Sequence, residues 1–171
     1  NKIDKNKISK NIILTNNINV VNFNNIDLVF IAANAELNFK LCKFFLLKKK
    51  HIFIEKPLTT DVTKTKKLIY LSKKLKLILH VDYIHTYNKN FLKFSEYFKK
   101  NFKSNLNQEL FFKFGNNGPI RKNLNPLWDW GSHVISCLYF LLNYINDYKI
   151  HIIKIHKSNN KGKFNIQIIG V

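Results

Sequence analysis

The chain has 171 residues, of which 46% are hydrophobic and 23% are charged, so it can build a core and is not a disordered polymer. Its formal charge of +19 suggests a nucleic-acid-binding protein, but Arg121 is the only arginine among the 29 basic residues. Nucleic-acid recognition favours the bidentate guanidinium of arginine, and the lysines are spread along the whole chain. An A/T-rich coding bias explains the abundance of Lys, Asn, Ile and Phe more simply, so we expect no nucleic-acid partner.

The two cysteines, Cys42 and Cys137, both lie in apolar helical patterns. This placement predicts buried thiols in a reducing compartment rather than a disulfide or a metal site. No run approaches the ~20 apolar residues of a transmembrane helix, and no signal-peptide pattern opens the chain. We therefore expect a cytoplasmic protein with no membrane partner. Because the chain lacks an initial methionine and residues 165–171 still have a strand pattern, we also expect it to be a fragment.

Strand and helix patterns alternate through the first half of the chain. Residues 26–33 (IDLVFIAA) form a continuous apolar run, which is typical of a strand buried on both faces of a parallel sheet. The side chains of Thr59, Thr60 and Asp61 can cap the second helix. The predicted strands cover residues 26–33, 51–54 and 76–81, and the predicted helices cover residues 36–49 and 61–74. This order predicts two right-handed βαβ units and therefore a parallel sheet.

The pattern changes after about residue 83. A loop rich in turn residues, 115–119, and a hairpin turn, 159–162, separate short strands from a long apolar helix. The predicted helices here cover residues 90–102 and 128–143, and the predicted strands cover residues 110–114, 150–156 and 163–169. We therefore predict an α/β protein with a boundary near residue 83, between a parallel α/β unit at 1–82 and an α+β unit at 83–171.

Two opposite charges stand where the strand at residues 51–54 ends. Glu55, Lys56 and Pro57 follow that strand directly and precede the capping residues of the next helix. In open α/β sheets, ligands bind at the carboxyl ends of the strands. A chance salt pair in a loop gives the same local pattern, because a position in the fold does not by itself establish a function.

A second polar group occurs in the sequence WDWGSH, residues 128–133. Asp129 and His133 are four residues apart and would share one face of a helix. A carboxylate in that position can orient or charge-stabilise the imidazole, as a general acid/base requires. A structural histidine beside a helix-start aspartate is the alternative. No HExxH pattern or third ligand accompanies the pair, so we predict no metal site.

Together these stretches resemble the Gfo/Idh/MocA oxidoreductases, the family of glucose–fructose oxidoreductase and inositol 2-dehydrogenase. Glu55-Lys56-Pro57 matches the family's EKP motif, and DWGSH matches its Asp-x-x-x-His helix about seventy residues later. Residues 26–34 and 76–88 are similar to the flanking strands and loops, and residues 118–143 are similar to the segment around the Asp-x-x-x-His helix. The likeness covers most of the chain from Ile26 onward.

The resemblance implies part of a Rossmann domain that binds NAD or NADP over residues 1–82, and part of a C-terminal α/β domain for substrate binding and oligomerisation over residues 83–171. It implies a dehydrogenase that moves hydride between a sugar or cyclitol hydroxyl carbon and the nicotinamide, with a homo-oligomer formed through the C-terminal sheet. Nucleotide-linked or amino sugars are the substrates we favour. The implied catalytic residues are Lys56, Asp129 and His133; the implied cofactor contacts are Ala32, Asn34, Glu55, Lys56 and Pro57; and the implied substrate contacts are Lys56, Arg121, Trp128, Asp129 and His133.

The sequence departs from the family in one respect that affects cofactor binding. The G-x-G-x-x-G turn that lets a backbone approach a pyrophosphate is absent, since no glycine precedes Gly115. A non-catalytic binding or scaffold protein of the same fold is therefore the first alternative, and a basic nucleic-acid-binding domain is the second.

Overall fold

A computed structural model describes residues 12–102 and 127–143, together with the backbone of the last two strands. The strands are β1 (Leu28–Ile31), β2 (His51–Glu55), β3 (Leu79–Asp82), β4 (Ile150–Lys157) and β5 (Phe164–Gly170). The α-helices are α1 (Ala35–Leu47), α2 (Val62–Lys74), α3 (Lys89–Asn101) and α4 (Ser132–Leu142). Short 3-10 turns occur at Ile18–Val20, Phe23–Asn25 and Ile84–Tyr87, and a π-helical turn at Leu127–Gly131.

The first three strands form a parallel sheet in the order β1-β2-β3. The prediction of a parallel α/β sheet is therefore confirmed, although β1 and β3 are shorter than the apolar runs that predicted them. Strands β4 and β5 pair antiparallel, as the hairpin pattern predicted. The predicted strand at residues 110–114 and the turns at 115–119 and 159–162 lie outside the described residues.

Helices α1 and α2 both pack on one face of this sheet. Their buried side chains meet the inward-facing residues of β1 and β2 in a single core, whose apolar members are Ile31, Cys42, Phe45, Leu46, Ile52, Ile54, Leu58 and Leu68. Burial raises the pKa of the Cys42 thiol to about 12, as expected for a structural rather than a reactive cysteine. The predicted burial of Cys42 and Cys137 is confirmed, and both are free thiols.

Among the described residues nothing covers the other face of the sheet, so the prediction that residues 26–33 are buried on both faces is wrong for this part of the chain. Phe30 is 70% exposed and Leu28 is 44% exposed. The physical reason is that both described crossover helices cover the opposite face, and successive strand residues alternate between the two faces. The ring of Phe53 stacks on His80 (4.9 Å between centroids) and also contacts Phe30 (5.1 Å) on this open face.

The ends of α1 and α2 explain how the chain returns to the sheet without glycine. Each helix closes with a Schellman motif, in which the left-handed residue is a lysine: Lys49 (φ 59°) and Lys76 (φ 56°). The N–H of Lys50 donates to the carbonyl of Phe45 (3.0 Å), and the N–H of Leu77 donates to that of Ser72 (2.9 Å). Hydrogen bonds of this motif offset the cost of a left-handed non-glycine residue.

Candidate functional site

The site begins at the loop that follows β2, where the chain is held at several points. The amide Nδ2 of Asn38 in α1 donates to the carbonyl of Pro57 (2.9 Å), and Asn38 itself is only 1% exposed. The hydroxyl of Thr59 accepts from the N–H of Asp61 (3.0 Å), and Asp61 caps α2 by accepting from the N–H of Lys64 (3.0 Å). The cap bond lowers the pKa of the Asp61 carboxyl and confirms the predicted helix start.

Lys56 extends from this loop to a residue that is 73 positions later in the sequence. Its Nζ donates to the carboxylate Oδ1 of Asp129 (2.6 Å) and also to the backbone carbonyl of Asp129 (2.7 Å). The two side chains are only 12% and 14% exposed, so water screens the pair weakly. The peptide bond between Lys56 and Pro57 is cis. The structure therefore joins the two motifs through one charge-assisted contact.

His133 lies in the first turn of α4 and is 4% exposed. Its Nδ1 is buried and has no hydrogen-bond partner among the described residues. The imidazole contacts two rings: His85 at 4.5 Å between centroids with an interplanar angle of 86°, and Trp130 at 5.5 Å and 55°. A buried nitrogen without a partner is costly, so this one marks a place where a ligand atom could complete the site.

Burial, as the largest cause, together with the neighbouring Lys56 and His85, lowers the pKa of His133 from its ordinary 6.5 to about 4. The negative charge of Asp129 opposes this shift. His133 is therefore neutral throughout the neutral pH range and can accept a proton. The carboxylate of Asp129, which we expected to orient the imidazole, accepts a hydrogen bond from Lys56.

The π-helical turn at Leu127–Gly131 explains the geometry of the second motif. The sequence predicted one continuous α-helix over residues 128–143, but the regular helix begins only at Ser132. Asp129 belongs to the wider turn and His133 to α4, so the four-residue spacing does not place them on the face of a single α-helix. Single π-turns at the start of a helix occur often at functional sites.

The other residues of the predicted site occupy varied surroundings. Ala32 and Asn34 are exposed after the end of β1, and Asn34 makes no side-chain cap to α1. Glu55 is exposed at the end of β2, and Pro57 is buried. Trp128, at 36% exposure, lies at the surface beside Asp129, and Arg121 lies outside the described residues.

Two residues of the site carried no assignment from the sequence. Asn38 anchors the loop of Lys56. The only indication of this role in the sequence is that Asn38 is polar and lies on the same helix face as Cys42. His85 contacts His133, and its signal is a histidine three residues beyond the end of β3. Neither signal is specific, because polar residues are common on helices and after strands.

The chemistry of the site suits a hydroxyl group next to a hydride acceptor. An ammonium can stabilise a developing alkoxide, and a neutral imidazole can take its proton. Exposed polar side chains at the carboxyl ends of β1 and β2 fit the nicotinamide end of a dinucleotide, where such ligands bind in parallel sheets. Because no glycine precedes Gly115, the first 114 residues contain no glycine turn for the pyrophosphate.

The described residues contain neither a metal-binding cluster nor a membrane-spanning helix. No group of three or more His, Cys, Asp or Glu side chains that could hold a metal ion occurs in residues 12–102 and 127–143. Among the helices of the same part of the chain, none has the length and apolar character needed to cross a membrane. A cavity of about 590 Å³ opens instead on the uncovered sheet face, away from Lys56 and His133, with Leu28, Phe53 and Tyr87 among its lining residues.

Comparison with known proteins gives one partial family match and one shared fold. The model of an oxidoreductase family with an NAD-binding Rossmann fold, GFO_IDH_MocA, matches residues 9–83. No curated protein matches the chain by sequence.

Solved structures share the fold at low sequence identity. An oxidoreductase from Bacillus cereus is 18% identical, with a TM-score of 0.66, over 90% of this chain and 46% of its own. UDP-N-acetylglucosamine 3-dehydrogenase GnnA from Acidithiobacillus ferrooxidans is 13% identical, with a TM-score of 0.61, over 86% of this chain and 50% of its own. The chain thus spans half the length of these structures or less. Residues 9–83 thus match the model of the Gfo/Idh/MocA oxidoreductase family, and the chain shares its fold with these solved structures.

Proposed function

We propose that this chain carries the nicotinamide-side and proton-transfer residues of an NAD- or NADP-dependent dehydrogenase that acts on a hydroxyl carbon of a sugar or cyclitol. One observation carries the proposal. Lys56 and Asp129 meet at 2.6 Å beside the buried His133, whose Nδ1 lacks a partner. A substrate hydroxyl at that point would complete the hydrogen bonding of His133 and lie within reach of an ammonium.

The chemistry balances with these side chains. In the oxidation direction, the hydroxyl proton passes to Nδ1 of His133, and Lys56 stabilises the negative charge that develops on the oxygen. The C–H bond breaks as the carbonyl forms, and its electron pair leaves as hydride. A bound NAD or NADP supplies the acceptor for that hydride. Asp129 favours the protonated imidazole, because its negative charge raises the pKa of His133.

Lys56 has to change partners for this reaction. In the structure its ammonium is held by the carboxylate and the carbonyl of Asp129. We propose that the substrate oxygen takes one of these two positions, so that Lys56 contacts both the substrate and Asp129. Positioning of this kind is the main task of a hydride-transfer site, since the reacting atoms have to come within about 3–3.5 Å.

For the substrate we favour a nucleotide-linked or amino sugar. The segments HVDYIHTYN and GPIRKNLNPLWDWGSH support this choice by their resemblance to family members of that kind. In that view Arg121 and Trp128 contact the substrate together with Lys56, Asp129 and His133. We also propose a homo-oligomer formed through the β4–β5 sheet, which light scattering of the chain in solution would test.

Binding of nicotinamide mononucleotide tests the part of the cofactor site that this chain contributes. Titration of the 171-residue chain, followed by the histidine side-chain NMR signals, should shift the signal of His133. The same titration of Lys56→Met should give a much weaker response. The matched control is Lys64→Met, since Lys64 forms an exposed pair with Asp61 on α2 (3.7 Å). Equal responses of the Lys56→Met and Lys64→Met chains would overturn the proposal.

Turnover tests the reaction itself. NAD and NADP are offered with UDP-N-acetylglucosamine, glucose and myo-inositol, and formation of reduced nicotinamide is followed by absorbance. We expect turnover with at least one sugar, and a loss of about 10²–10⁴-fold in His133→Asn, the range for a general base. If the chain binds the nicotinamide without turnover, and His133→Asn binds it equally well, the result would favour the non-catalytic binding protein instead.

A further inference from the structure

The orientation of His133 needs a physical cause. In many enzymes a hydrogen bond to one ring nitrogen sets the tautomer and orientation of a catalytic histidine. Here Nδ1 makes no such bond to any described residue. The ring contacts that the structure does show come from His85 and Trp130. Packing against these two rings therefore restrains the imidazole on a side where Nδ1 forms no hydrogen bond.

His85 is well placed for this role because its backbone is fixed on both sides. It lies in the 3-10 turn Ile84–Tyr87, directly after β3. The hydroxyl of Thr86 donates to the carbonyl of Tyr83 (2.8 Å), and the N–H of Asn88 donates to the carbonyl of His85 (3.2 Å). Asn88 then caps α3 through its side chain. A half-buried ring on so short and bonded a turn has little freedom to leave His133.

The contact between the two rings is close and edge-to-face. Their centroids are 4.5 Å apart and their planes are nearly perpendicular, at 86°. Trp130, which lies in the π-helical turn before α4, is farther away at 5.5 Å and is tilted rather than perpendicular. Edge-to-face pairs favour a definite ring orientation beyond the area they bury. Rotation of the His133 ring would therefore lose its contact with His85.

His85 also affects the protonation of His133. Three groups face His133 from three different elements: Lys56 after β2, His85 in the 3-10 turn and Asp129 in the π-helical turn. Lys56 and His85 disfavour the imidazolium, while Asp129 favours it. Of these three groups, His85 also packs its ring against the imidazole of His133.

We propose that His85 is a positioning residue for His133: its ring packs edge-to-face on the imidazole and fixes the plane of that ring, so that Nδ1 keeps one orientation toward the hydroxyl proton. The proposal rests on the proposed function, in which His133 receives the hydroxyl proton. His85 itself touches neither proton nor substrate in this scheme. It acts through the ring of His133.

The test uses NMR titration of the histidine side chains in the 171-residue chain and two variants. His85→Phe keeps a ring against His133 but removes the second imidazole. We expect the pKa of His133 to rise in this variant, because a neighbouring group that disfavours the imidazolium is removed. His85→Ala removes the ring as well, so the ring-current shift of the His133 protons should be lost, whereas His85→Phe should retain it.

A matched control is His51→Gln, which removes an imidazole at the start of β2, the end of the sheet opposite to Lys56. The pKa and ring-current shift of His133 should be unchanged in this variant. Circular dichroism shows whether each variant is folded, and His85→Phe keeps the test valid if His85→Ala unfolds. An unchanged pKa of His133 in folded His85→Phe, or an unchanged ring-current shift of His133 in folded His85→Ala, would overturn the proposal. Nicotinamide mononucleotide binding to the unsubstituted chain is measured in parallel, so a failure of the proposed function would be seen separately.

Discussion

The buried, neutral His133 makes a specific prediction about stability at acid pH. An unfolded histidine takes up its proton as the pH falls through about 6.5. In the folded chain His133 does so only near pH 4, because burial and the charges of Lys56 and His85 disfavour the imidazolium. Between these two values the unfolded state binds more protons than the folded state. Folding stability contributed by this residue is therefore fully present above about pH 7 and is lost as the pH falls.

The size of the loss follows from the two pKa values. The displacement of the pKa from 6.5 to about 4 corresponds to about 3 kcal/mol in the free energy of unfolding once the pH is below both values. By pH 5.0 about 2 kcal/mol of this is already lost. For a domain of this size such a loss is a sizeable part of the total stability, which is about 5–15 kcal/mol.

Urea denaturation at pH 7.5 and pH 5.0, with His133→Leu as the reference, measures this effect. The leucine variant lacks the titrating group, and replacing a buried nitrogen that has no partner should cost little stability at neutral pH. The difference in free energy of unfolding between the chain and the variant should therefore change by about 2 kcal/mol between the two pH values, in favour of the variant at pH 5.0. Other titrating groups cancel in this difference. A difference that stays constant within about 0.5 kcal/mol, the error of such measurements, would refute the assignment of a buried neutral His133. His133→Phe serves as the reference if the leucine variant does not fold.

Three further substitutions test the packing around the site by urea denaturation. Lys56→Met should lower the free energy of unfolding by about 2 kcal/mol, because it leaves a half-buried carboxylate without its ammonium, whereas Lys64→Met at the exposed pair should cost less than about 1 kcal/mol; equal costs would contradict the burial of the first pair. Asn38→Ala should cost about 1–3 kcal/mol, since it removes the donor that holds the loop after β2, and a neutral result would mean that the loop is held without it. Ile54→Ala should cost about 2–5 kcal/mol, while Phe30→Ser on the open face should cost far less; a large loss from the serine variant would show that this face is covered in solution.

Local signals were sufficient for most of the first half of the fold. The predicted helix over residues 61–74 differs by one residue from α2, because Asp61 provides an N-cap that can be recognised in the sequence. The strand predicted over residues 51–54 extends one residue further, to Glu55, in the structure. The buried face of α1 was less predictable. Leu37 and Leu47 fit the helical pattern but are exposed, while Asn38 is buried, because the neighbouring elements decide which face is covered.

The sequence by itself determined the order of strands and helices, the parallel sheet and the two motifs at Lys56 and His133, because caps, apolar runs and motif spacing act over a few residues. Only the tertiary structure decided that Lys56 bonds to Asp129 and that His85 packs on His133. It also decided that one face of the sheet stays open among the described elements. These features join residues that are far apart in the chain, and their contacts depend on how whole elements pack, which local patterns do not encode.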